Sequence, residues 1–412
     1  MSANCLPVEI IDVVVYSLDE DDKKTLHSAL FVNTRWFKSA ARRIWEEPPV
    51  QALAAARPGW RQFYARYVVA LYFQEDQDAE HHSTFRNLQF PRMQRITAGS
   101  AVTGETFPFT QYIQSNLQNF KWFGQAPAEN ILDLLETACR HKLRELDLCF
   151  EIDGLTSERL ERFLDKCKFL KKLTIRGNNE HLINSRILER LVHYRGLEKL
   201  LVDAPIRIET VLQMAGPIRL PLKDIRLLGL RMQSVCVPLL VDGLKGAKNL
   251  TSLGLIIQDN AIDPFKHVCQ LVGLKDLRIF YEQGQTWNVF DDVLELWRLA
   301  NLRTLVLIPL NGIITCPLLL DDIFRHIFSQ KARLQYLIFQ VHCESLTTDS
   351  ILALGHYSRQ IKLLQFPGTY NLHRWSGVRG CRFPQVRWIE FGGVEYDDNI
   401  NHYHNGEEEP IP

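Results

Sequence analysis

The chain has 412 residues, 46% of them hydrophobic, and its 48 Lys+Arg balance its 48 Asp+Glu, so the formal net charge is zero. That balance argues against a nucleic-acid or membrane-surface protein, whose affinity rests on a basic excess. The nine cysteines are scattered with no Cys-x-x-Cys pair. No apolar run approaches the length of a membrane span, and Ile10–Tyr16 is too short and too acid-flanked for a secretory signal. Reduced thiols in the cytoplasm or nucleus are therefore expected.

In chain order, Leu6-Pro7-x-Glu9-Ile10 opens a helical pattern in which Ile11, Val14, Val15 and Leu18 recur at helical spacing. Proline is tolerated at a helix start because its missing N–H would have no partner there. The acidic run Asp19–Asp22 ends this helix and offers N-caps to a second over Lys24–Leu30. Asn33 or Thr34 can cap a third, which carries Trp36, Phe37, Ala40, Ala41, Ile44 and Trp45 and stops at Pro48-Pro49. Three short helices make a thin core, so such a unit completes itself on a partner or on its own chain.

Leu6-Pro7-x-Glu9-Ile10, Leu18, Leu30-x-Val32-Asn33-x-x-Trp36 and Ile44-Trp45, in that order and without a gap, resemble the F-box. Val-Asn-x-x-Trp with Ile-Trp-x-x-Pro resembles its fungal members. The resemblance implies that residues 1–49 bind a Skp-type adaptor through Leu6, Pro7, Ile10, Val14, Leu30, Val32 and Trp36. Some of these must instead hold the three helices together.

Residues 50–66 form a connecting segment with a helical Ala52–Ala56 patch and a Pro58-Gly59 break. From Val68 a triplet L-x-x-L-x-L recurs, beginning at Val68, Met93, Leu117, Leu143, Leu170, Leu197, Leu222, Leu250, Leu274, Leu302, Leu334, Ile361 and Val386. Its period of 24 to 32 residues is that of leucine-rich repeats. The last two apolar residues of a triplet lie two apart, hence on one face of a strand. Ser157–Cys167, Asn184–His193, Phe290–Leu299 and Pro317–Phe328 space their apolar residues as helices do. One strand–helix unit cannot bury its apolar face, but a stack can. The expected fold is α/β: a three-helix F-box, then a leucine-rich-repeat solenoid over 67–396 with a parallel sheet on the concave face and helices on the convex face. A polar tail over 397–412 cannot build a core. At one point two registers fit equally, Leu222-Ile225-Leu227 and Ile225-Leu228-Leu230. The first is adopted because Leu222-Lys-Asp-Ile-Arg parallels Leu274-Lys-Asp-Leu-Arg.

Catalytic motifs are not found: no Gly-rich phosphate loop, no G-x-S-x-G, no H-E-x-x-H. His81-His82 and His402-x-His404 fall short of the three or four fixed ligands a metal needs, so no metal or cofactor is expected. Lys166, Lys168, Lys171 and Lys172 read as a solvated face. An F-box followed by leucine-rich repeats is similar to the substrate-recognition subunit of a Skp–cullin–F-box ubiquitin ligase. That implies a non-catalytic protein whose partners are the adaptor, through it a cullin, and a protein substrate held near the conjugating enzyme. A scaffold that uses its F-box outside a ligase is the alternative.

On the sheet, the residue after each triplet and the one inside it face the open side. In the adopted register they give an apolar stripe of Leu228, Ile256, Phe280 and Ile308, with Val306 and Ile338 beside it and Tyr281 and Trp287 following. Such a patch is expected to hold the substrate.

Overall fold

The computed structural model describes residues 6–18, 22–73, 78, 81–99, 107–123, 131–149, 156–177, 182–184, 186–187, 190–191, 194, 196–206, 225–261, 264–286, 293–371 and 383–395. Trp287, Leu222 and the tail over 397–412 lie outside the described residues. By contacts the chain gathers into two compact units, Met1–Ala204 and Pro205–Pro412.

The first unit begins with α1 (Val8–Ser17), α2 (Lys23–Ala29) and α3 (Thr34–Ile44). Ile11, Val15 and Leu26 form their core, and Leu6, Leu18, Trp36 and Ile44 pack against it. Pro7 takes the N-cap of α1, one place earlier than the sequence suggests. Asn33 rather than Thr34 caps α3: its Oδ1 accepts from the amides of Arg35 at 2.9 Å and Trp36 at 3.1 Å. Asp22 stands at the N-cap of α2 but makes no side-chain cap bond. The connecting segment is more helical than expected, with α4 (Val50–Ala55) and α5 (Pro58–Ala65). Pro58 ends one helix by opening the next. Trp45 stacks on Tyr64, ring centroids 4.1 Å apart, and fastens α3 to α5.

Six parallel strands follow: β1 (Ala70–Phe73), β2 (Arg95–Ala98), β3 (Asn119–Trp122), β4 (Glu145–Leu148), β5 (Lys172–Ile175) and β6 (Lys199–Ile206). Leu71, Ile96, Phe120, Leu146, Leu173 and Leu200 are in register across them and buried. The first apolar residue of a triplet enters through a turn, as where the Leu170 amide bonds to the Cys167 carbonyl at 3.2 Å. The next strand then attaches through two amides on one carbonyl: Gln94 and Arg95 both donate to Val69 O, at 2.8 and 3.0 Å. The helical segment supplies the rung before the first. Val69 and Ala70 donate to Glu46 O at 2.8 and 3.0 Å, so the end of α3 stands where a preceding repeat would. The Glu46 carboxylate accepts from the Tyr16 hydroxyl at 2.5 Å and faces Arg42, Arg43 and Arg92 at 3.9, 3.6 and 3.7 Å.

The second unit contains β7 (Leu227–Met232), β8 (Ser252–Ile257), β9 (Asp276–Tyr281), β10 (Gln285–Thr286), β11 (Thr304–Pro309), β12 (Ile314–Thr315), β13 (Tyr336–Phe339), β14 (Val341–His342), β15 (Leu363–Asn371) and β16 (Trp388–Glu395). The long strands β7, β8, β9, β11, β13, β15 and β16 pair in parallel in that order. The two-residue strands β10, β12 and β14 make a second parallel ladder that the sequence did not announce. Leu277, Leu305, Leu337 and Leu364 are fully buried. Helices lie on their side of the sheet: the Phe324 ring, on the helix Asp321–Ser329, meets Phe339 and Phe366 at 6.3 and 5.4 Å. Parallel strands with an inner apolar face and helices covering it make this an α/β leucine-rich-repeat fold behind three N-terminal helices.

One register is corrected. Leu228 pairs with Leu253 and Leu230 with Leu255, so the repeat reads Ile225-Leu228-Leu230. All three are buried. Leu228 is therefore core and not part of an open-face stripe.

Candidate docking surfaces

The first surface lies on the N-terminal helices. A helix turns about 100° per residue, so α1 can turn Ile11 and Val15 inward while Ile10, Val13 and Val14 share another face. The exposures follow: Ile11 and Val15 are fully buried, Ile10 is 47% exposed and Val13 67%. Of the residues that the F-box resemblance names, Pro7, Ile10, Val14 and Val32 are exposed. Leu6, Leu30 and Trp36 are half-buried, and Leu6 and Trp36 serve the helical core. Sequence reasoning missed Phe31, which at 83% is the most exposed large apolar side chain among the described residues. It sits in the turn between α2 and α3. The signal was present in Leu30-Phe31-Val32, an apolar run in a break that has no core to serve.

The second surface is the open face of the second unit. Arg231, Ile256, Phe280 and Ile308 are in register on β7, β8, β9 and β11. In the next row Arg278, Val306 and Ile338 are in register on β9, β11 and β13. Ile256, Phe280, Ile308 and Ile338 are half-exposed, so the structure does bring these four to one side. Val306, 7% exposed, lies between them as a floor. Arg231 takes the place expected for Leu228, and its guanidinium pairs with Glu282 at 2.6 Å. Tyr281 is a further correction: as the residue after Phe280 on a strand it turns inward and is 1% exposed. Gly229 and Gly254, in register on β7 and β8, leave the backbone bare beside Ile256.

The open face of the first unit has a different character. Glu145 on β4 faces Lys121 at 2.9 Å and Lys172 at 3.7 Å and accepts from Asn119 at 2.9 Å. The basic cluster around Lys166 is dispersed the same way: Lys166 pairs with Glu136 at 3.1 Å and Lys171 with Glu198 at 2.8 Å. Among the described residues, no group of three or more His, Cys, Asp and Glu side chains could hold a metal ion. None of the described helices is long and apolar enough to cross a membrane.

No protein-family model matches the chain, and no curated protein matches it. Solved structures do. The Rad7–Elc1 complex of yeast is 12% identical over 83% of this chain and 91% of that chain, with a TM-score of 0.49. The TLR13–ssRNA13 complex is 14% identical over 82% of this chain and 41% of that chain, with a TM-score of 0.35. At these values neither likeness assigns a partner or an activity.

Proposed function

We propose that the chain is a substrate-recruiting subunit of a Skp–cullin–F-box ubiquitin ligase. In this reading the helices α1–α3 are the F-box that binds a Skp-type adaptor, and the repeats hold the protein substrate. The observation that carries it is the apolar surplus on those helices: Phe31, Val13, Val32 and Ile10 stay exposed around a core that Ile11, Val15 and Leu26 already fill. Side chains of this kind gain when a partner covers them. The repeats contribute a surface instead of reacting groups, and chemistry is left to the conjugating enzyme.

Reconstitution with a Skp-type adaptor tests the reading. Ile10→Asp with Phe31→Asp is expected to abolish co-elution, because a charge buried in the interface has no partner. Both positions are exposed in the chain, so the thermal midpoint should stay near wild type. Undiminished co-elution of the double variant would overturn the proposal. Recovery of the adaptor without a cullin in affinity purification would favour a scaffold outside a ligase.

A further inference from the structure

The residue that leads each long strand of the second unit belongs to a column of its own. Consecutive members are joined by backbone hydrogen bonds, from Thr251 N–H to Arg226 O at 3.0 Å through to Arg387 N–H to Lys362 O at 2.8 Å. Five of the seven positions are basic: Arg226, Lys275, Arg303, Lys362 and Arg387. The other two, Thr251 and Gln335, are neutral. The turns leading into β8, β13 and β15 add Lys248, Arg333 and Arg359. Seven of these eight cations are exposed and Lys362 is half-buried. Among the described residues none of the eight is in an ion pair. The corresponding column of the first unit holds far less charge: Val69, Gln94 and Gln118 are neutral, Lys171 pairs with Glu198, and Arg144 is the remaining cation. A chain of zero net charge thus gathers like charge along one edge, about 4.8 Å from strand to strand.

Next to this edge the open face carries large apolar side chains, interrupted by Asp276 in the first row and by Arg278, Gln365 and Glu390 in the second. Tyr336 and Trp388 stand one residue inside the column, 40% and 61% exposed. Val306 and Ile338 follow, then Ile256, Phe280 and Ile308. A nucleic acid would use the cations and the two aromatic rings but has nothing to bury on the aliphatic rows. A polypeptide with acidic and apolar side chains uses both. Seven strands span about 29 Å, the length of about nine extended residues.

We propose that the turn edge of the second unit docks an acidic segment of a partner protein, its carboxylates on the basic column and its apolar side chains on the adjoining open face. The inference rests on the reading that the repeats hold a protein, and it names the chemical class of the segment they take. Arginine forks suit carboxylates, and long-range attraction from a single-sign edge speeds encounter.

The test uses the full-length chain and a fluorescein-labelled peptide of about 15 residues, Asp and Glu with two Leu and one Phe, read by anisotropy. Binding is expected, weakened about tenfold or more between about 50 and 300 mM salt. Arg303→Glu with Lys362→Glu and Arg387→Glu should weaken it at least about tenfold at the lower salt while leaving adaptor co-elution unchanged. If that variant loses thermal stability, the Gln versions of the three substitutions carry the same comparison. No binding at low salt, an unchanged variant, or tighter competing binding of an oligothymidylate of similar length would overturn the proposal. Peptide binding without adaptor binding would sink the ligase reading alone. Adaptor binding without peptide binding would sink this one alone.

Discussion

The imidazole of His82 lies against the rings of Phe73 and Phe107, centroids 4.8 and 4.9 Å away, and its Nδ1 is 3.0 Å from the Tyr112 hydroxyl. Burial pushes its pKa down to about 4, and burial raises that of Tyr112, so a neutral ring and a neutral hydroxyl share this hydrogen bond. Between the ordinary value of 6.5 and about 4 the unfolded chain binds a proton that the folded chain does not. This contribution is complete above pH 6.5 and is lost as pH falls towards 4, on the order of 2 kcal/mol. The thermal midpoint should drop across that window, and His82→Gln should flatten the drop. Lys331 is the opposite kind of burial, fully enclosed but with Nζ donating to the carbonyls of Leu296 at 2.7 Å and Trp297 at 3.2 Å. These carbonyls close the short 3₁₀ turn Leu294–Arg298. Lys331→Met should cost about 1–3 kcal/mol in denaturant unfolding, since it removes the ammonium donor from both carbonyls and leaves Leu296 O only the Leu299 amide at 3.1 Å. Neither role could be read from sequence: His81-His82 stands out only as a close histidine pair, and nothing in the sequence sets Lys331 apart from other lysines. What decides them is which neighbouring repeat lies across, and that is a long-range contact.

For strands, the chain announces more. Each triplet is legible because its apolar residues meet the same inner face in every repeat. Leu277 is fully buried, with Leu253 and Leu305 beside it in register. Leu277→Ala should therefore lower stability by about 2–5 kcal/mol, against about 0.5 kcal/mol or less for an exposed leucine. The register at 222–230 failed for a local reason. Ile225 can be the middle of one triplet or the start of the next, and the choice between them leans on charged residues such as Arg226, Lys275 and Arg278, which are exposed, where no packing constrains them. The slip of three residues carried Leu228 to the wrong side and hid Arg231. It left Ile256, Phe280 and Ile308 correctly placed, because their triplets had no competitor. All three are half-exposed, so Phe280→Asp with Ile308→Asp is expected to abolish substrate capture with little loss of thermal stability. Unfolding of that variant would mean that the stripe is core. Strands of two residues, such as β10, β12 and β14, carry too few positions for any periodicity to show.

At the scale of the whole molecule, composition gives the class and conceals the arrangement. A net charge of zero is true of the chain and false of its parts: the strand-leading column is mostly neutral or paired in one unit and strongly basic in the other. The join between the N-terminal helices and the first strand is also invisible in the sequence, because it is made by a backbone carbonyl. Glu46 O holds the amides of Val69 and Ala70, and the Glu46 side chain gathers Tyr16 from α1 and Arg92 from the turn before β2. That junction has no hinge. Whatever grips α1 and the Phe31 turn is held at a fixed bearing to β1–β6, so reach is decided by aim and not by the random search of a tether. On the proposed ligase role, Gly-Ser-Gly inserted between Pro48 and Pro49 should therefore leave adaptor capture intact and slow ubiquitin transfer in a reconstituted ligase, most of all for a substrate with a single acceptor lysine.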